Sequence, residues 1–79
     1  MDELQLRTRI ANVIESVILT PVANDTLLME SGLVDSLAAV DVALSIEREF
    51  KCRIPASEID VHMASVESLA SFITSRQPA

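Results

Sequence analysis

A chain of 79 residues has room for one small domain. Twelve acids against six bases give a formal net charge of −6. That balance argues against nucleic acid and against an anionic membrane surface, and it suits basic surfaces on other proteins.

Hydrophobic residues make up 49% of the chain, with two Phe and no Tyr or Trp. A core is therefore possible, but it is built of small aliphatic units with a margin on the order of a few kcal/mol. No apolar run approaches the roughly 18–20 residues of a membrane span, so no membrane insertion is expected. Met1-Asp2-Glu3 is acidic and does not read as a secretory signal. Cys52 is the one cysteine, so no internal disulfide can form. A single free thiol suggests a reducing compartment, most simply the cytoplasm. These features set the expectation of a single free-standing domain over residues 1–79, working as a cytoplasmic monomer.

Leu6, Ile10, Val13, Ile14, Val17 and Ile18 recur at steps of three and four, which predicts a helix over residues 3–18. Thr20-Pro21 should end it, because the residue before proline is pushed out of the α region. A loop of about fifteen residues follows, long enough to mark function. Leu27, Leu28, Met29 and Leu33 are expected to pin it to the core. From Ser36 to about Lys51 the chain reads helix again, broken by Arg53-Ile54-Pro55. Ser57 reads as the N-cap of a short helix through Ile59 and Asp60. Ser65 reads as the cap of a last helix with Val66, Leu69, Ala70 and Ile73 facing inward. The terminal Ser75–Ala79 should fray. No segment keeps a strand's alternation, so the chain reads as a four-helix domain with one short helix and one long first loop.

The second helix carries two apolar faces. At about 100° per residue, Ala39, Val42, Ala43, Ile46 and Phe50 form a core stripe. Leu37, Val40 and Leu44 form a second stripe opposite it, flanked by Asp41, Arg48 and Lys51. Scattered surface aliphatics covering the adjoining loop would explain this. A charge-rimmed docking patch explains it better, because the stripe starts one residue after Ser36.

Three roles compete for Ser36. As a first-turn residue behind an Asp35 N-cap it needs no chemistry. As a nucleophile it needs a base; the only histidine is His62, and no G-x-S-x-G elbow is present. As the carrier of a phosphate ester it is well placed, since a helix N-terminus offers unpaired N–H groups and the positive end of the macrodipole. Gly32 would let the preceding loop turn sharply and leave the hydroxyl open to a modifying enzyme. Asp35 adds unfavourable charge there, but it can hold a metal or a proton at that enzyme's site.

The stretch GLVDSLAAVDVALSIEREFKCRIP resembles the acyl carrier protein family, whose signature is Asp-Ser-Leu at the start of the second helix. The likeness extends over nearly the whole chain, through the Glu47-Glu49-Phe50 run, Ile54-Pro55 and the final SVESLASFI. It implies an all-α, four-helix bundle of the acyl-carrier-protein type, with a long first loop and a short third helix. It implies a 4′-phosphopantetheine arm on Ser36, whose thiol holds acyl or aminoacyl cargo as a thioester, and no catalytic power in the protein itself. Asp35, Leu37, Val40, Asp41 and Leu44 would meet partner enzymes. Those partners would be a phosphopantetheinyl transferase, an ATP-dependent acyl- or aminoacyl-activating ligase, and a downstream transferase or synthase.

The match has departures. Ala38 stands where fatty-acid carriers commonly have an acid, and Arg48, Lys51 and Arg53 neutralise the lower half of the helix. With the SGLVDSL lead, they tilt the resemblance toward stand-alone aminoacyl carriers, including D-alanyl carriers. A small acidic interaction module without any prosthetic group is the alternative. Of the remaining residues, Lys51 and Arg53 could lower the thiol pKa of Cys52, although a lone cysteine more simply reads as a passive apolar residue. His62 has no partner at ligand spacing, so no metal is expected; it should pack near the arm or face water. Met29 and Met63 read as gap-fillers.

Overall fold

Asp2 starts the first helix: its carboxylate accepts the Gln5 N–H at 2.8 Å, satisfying one of the donors that a helix start leaves free. A computed structural model describes residues 2–76. They form α1 (Glu3–Ile18), α2 (Ser36–Phe50), α3 (Ile59–His62) and α4 (Val66–Arg76), with a 3-10 turn, Ala56–Glu58, leading into α3. No strand occurs among the described residues. α1 packs on both α2 and α4, and α3 bridges α2 to α4.

The core follows the apolar spacing. Leu6, Ile10 and Ile14 of α1 are buried, while Val13, Val17 and Ile18 lie half-buried at its flank. From α2 come Ala39, Val42, Ala43, Ile46 and Phe50; from α4 come Val66, Leu69, Ala70, Ile73 and also Phe72. Met63 is fully enclosed, and Met29 packs against the cluster's edge. Arg9 fastens α1 to α2, pairing with Glu49 while its guanidinium lies 5.2 Å from the centre of the Phe50 ring.

The helix ends depart from the expected punctuation. α1 stops at Ile18 because Leu19 turns left-handed (φ 60°) and donates its N–H to the Glu15 carbonyl at 2.7 Å. The chain has therefore left the helix before Pro21 can act. α2 likewise ends at a left-handed Lys51 (φ 55°), ahead of Arg53-Ile54-Pro55. Ser57 is not an N-cap. Pro55 opens the turn, the Glu58 N–H bonds to the Pro55 carbonyl at 2.9 Å, and Ser57 stands exposed inside it. Ser65 does cap α4, accepting the Ser68 N–H at 3.1 Å. α4 continues through Arg76, and the rest of the segment expected to fray, residues 77–79, lies outside the described residues.

The long first loop is pinned by fewer residues than its apolar content suggests. Leu28 is 0% exposed and Val34 1%, whereas Leu27 is 52% exposed and Leu33 is exposed too. The backbone explains the difference. The Leu28 N–H bonds to the Ala64 carbonyl at 2.9 Å, and the Val34 N–H bonds to the Leu28 carbonyl at 3.0 Å. The segment between them is a closed bulge with Leu28 and Val34 at its neck, so those two enter the core and Leu33 rides outside. Leu28→Ala should lose about 2–5 kcal/mol in urea unfolding. Leu27→Ala should stay within about 0.5 kcal/mol of the parent. Similar losses in both would contradict the pinning described.

Candidate functional site

The neck of that bulge releases the chain at Asp35, whose backbone is extended (φ −90°, ψ −175°). Its carboxylate accepts the Ala38 N–H at 2.8 Å and its carbonyl the Ala39 N–H, also at 2.8 Å. Asp35 is thus the N-cap of α2 and Ser36 its first residue. Among the described residues, the N–H groups of Ser36 and Leu37 meet no acceptor, and α2 has no acid in its first turn. The helix therefore presents free donors and its positive dipole end beside an exposed hydroxyl, an arrangement suited to a phosphate. Gly32, at φ +83°, turns the loop four residues earlier. No atom lies within 4 Å of where its Cβ would stand, so glycine is required by the backbone conformation alone.

Several of the other serines have their hydroxyls engaged. Ser16, Ser31 and Ser75 donate to the Val13, Leu28 and Phe72 carbonyls. Ser65 also stands at a helix start, but its Oγ is taken up in capping. Ser57 and Ser71 are exposed as Ser36 is, but neither opens an α-helix: Ser57 stands inside the 3-10 turn and Ser71 inside α4. Ser36 Oγ makes no hydrogen bond among the described residues and is exposed.

The second stripe of α2 points outward, with Leu37 79%, Val40 45% and Leu44 52% exposed. Asp35 and Asp41 flank it on the surface. Beside it an open cleft of about 320 Å³ separates α2 from the segment entering α3. Val40, Leu44, Ile54 and Ile59 are its apolar walls, and Glu47 and Arg53 its charged groups. Sequence reasoning missed Val61, 62% exposed on α3. A helix of one turn has too few residues for a periodicity to show an outward face.

Cys52 is the passive apolar residue that a lone cysteine suggested. It is buried, and burial pushes its thiol pKa up; the opposing cation is Arg76, not Lys51 or Arg53. It is a packing residue rather than an activated thiol. His62 is half-buried and does not stand free. Its Nε2 is hydrogen-bonded to Glu58 Oε1 at 3.0 Å, and its ring lies 4.1 Å from that of Phe72, centre to centre.

Removing the cap should be visible without any ligand. Asp35→Ala should lower stability by about 1 kcal/mol in urea unfolding, and Asp35→Asn should retain most of it. An Ala variant as stable as the parent would mean that α2 does not depend on this cap.

The family model of the phosphopantetheine attachment site matches residues 5–73. No curated protein and no solved structure matches the chain.

Proposed function

The chain belongs to the phosphopantetheine-attachment family, whose domains are non-catalytic carriers bearing covalent 4′-phosphopantetheine on a serine, and from that premise we propose that Ser36 is the attachment site. The observation that carries this reading is the state of Ser36: exposed, its hydroxyl free, one residue past the cap, beside two N–H groups without acceptors. The chain's residues fit the group. Asp35 fixes the first turn, and the Ser36 and Leu37 N–H groups with the helix dipole stabilise the phosphate charge. When attached, the arm supplies a thiol that holds cargo as a thioester. The reading of the chain as an interaction module without a prosthetic group gives way to the family match.

Leu37, Val40 and Leu44, with Asp35 and Asp41, form the surface that meets the phosphopantetheinyl transferase and the enzymes that charge and discharge the arm. The described helices share one core and act as one carrier domain. The charging enzyme is an ATP-dependent ligase, and a transferase or synthase takes the cargo onward. A free buried thiol and a net charge of −6 support a reducing aqueous compartment, the cytoplasm.

The cargo is aminoacyl and stays on the exposed arm. Val42 and Ile46 are fully enclosed, and no polar or charged residue is buried among the described residues. The core therefore offers an ammonium group no partner, and burying it unpaired would be costly. The absence of an acid at Ala38 and the cations at Arg48, Lys51 and Arg53 also depart from a uniformly acidic docking helix.

Two experiments test these readings. Ser36→Ala should fold as the parent does, since Asp35 still caps α2, and should gain no phosphopantetheine mass on incubation with a phosphopantetheinyl transferase. Modification of that variant would remove Ser36 from its role. For the cargo, the holo protein is offered with ATP to an amino-acid-activating ligase and to a fatty-acyl-activating one. Charging by the first, with chemical shifts of Val42, Ile46 and Ile59 unchanged, is the expected result. Charging by the second alone, with shifts at those residues, would return the protein to a fatty-acyl role.

A further inference from the structure

The six cations of the chain are not equally engaged. Arg7 pairs with Glu3 at 3.0 Å and Glu67 at 3.6 Å. Arg9 pairs with Glu49, and Arg76 lies 5.0 Å from the centre of the Phe72 ring. Among the described residues, Arg48, Lys51 and Arg53 pair with nothing, and all three are exposed. They gather at the end of α2 away from Ser36. Glu47 shares a cleft with Arg53 without pairing with it, and Glu49 is already paired with Arg9. At the Ser36 end the exposed charges are Asp35 and Asp41, with no cation beside them in the sequence. Between the two ends runs the exposed apolar stripe.

We propose that the partner surface docking on α2 is itself two-signed: basic where it meets Asp35 and Asp41, apolar against Leu37, Val40 and Leu44, and acidic where it meets Arg48, Lys51 and Arg53. This rests on the docking surface proposed above and names the chemistry of what covers it. The helix dipole accounts for a cation at Arg48, in the last turn of α2. It does not account for Arg53, which lies past the helix on the cleft wall.

The two ends act on a partner separately. From Ser36 to Arg48 the helix rises about 18 Å, while charge is screened over about 8 Å at physiological ionic strength. A uniformly basic partner would gain at the first end and be repelled at the second. A two-signed partner gains at both and is held in one direction along α2, which sets where its active site stands relative to Ser36.

The probe is an amphipathic helical peptide with a leucine stripe, lysines along its first half, glutamates along its second and a nitroxide at the glutamate end. It is titrated into the 15N-labelled protein at low ionic strength. Line broadening should concentrate on the amides of residues 48–53, and Arg48→Glu/Lys51→Glu/Arg53→Glu should weaken binding about tenfold or more. The same three positions changed to Gln should fall between, which guards against a fold lost through charge reversal. Broadening centred on residues 35–41, equal broadening at both ends, or no binding would overturn the proposal. Val40→Glu tests the underlying docking surface by itself and should remove binding in any orientation. A Val40→Glu protein that binds like the parent would sink that surface, whereas the mass of the modified protein reports on Ser36 independently of both.

Discussion

Where α2 begins depends on two buried residues in the first loop. Leu28 and Val34 hold the neck of a bulge, joined by the Val34 N–H on the Leu28 carbonyl and tied to the connection between α3 and α4 by the Leu28 N–H on the Ala64 carbonyl. The chain leaves that neck one residue before Asp35, so cap and serine follow from the anchoring and not from any stiffness in the loop. Loop entropy is a modest cost when only two points must be held. The remaining residues are then free to present a left-handed glycine and exposed leucines without loosening the serine's position.

Among the described residues, α2 is the helix that leaves an outward apolar stripe of three aliphatics, from Leu37 to Leu44. α1 is packed by α2 and α4, and its exposed leucines, Leu4 and Leu19, stand at and beyond its opposite ends. Its cations are consumed in ties to Glu3, Glu49 and Glu67. α2 commits Ala39, Val42, Ala43, Ile46 and Phe50 to the core and leaves Leu37, Val40 and Leu44 to water. A domain this small has little apolar surface to spare. Placing three aliphatics outside the core supports the docking role proposed for them.

Much of this was legible in the sequence because it rests on periodicity and caps. The spacing of Leu6, Ile10 and Ile14, the two stripes of α2, and the Asp35 and Ser65 caps are local patterns, and local patterns survive into the fold. The loop was less legible. Leu27 and Leu28 are adjacent and chemically identical, and only the long-range hydrogen bond to Ala64 decides which one turns inward. Ser57 misled for a related reason: it is a good capping residue, but Pro55 had already set the backbone of the turn. Cys52 was legible as a passive apolar residue, but the cation that bears on it, Arg76, comes from another helix and not from its neighbours Lys51 and Arg53.

The segment after α2 shows how a passive residue can serve the proposed docking surface. Lys51 turns left-handed and ends the helix, and the chain then runs without helical structure through Cys52, Arg53 and Ile54. Cys52 and Ile54 are buried and Arg53 between them is exposed, the in–out alternation of extended backbone. Two apolar anchors on either side leave the middle residue one direction, outward, onto the wall of the cleft beside Leu44 and Glu47. The raised thiol pKa fits this division, because an anchor works best uncharged. Cys52 thus contributes to the surface chemistry by fixing where Arg53 can be, and its own sulfur takes no part.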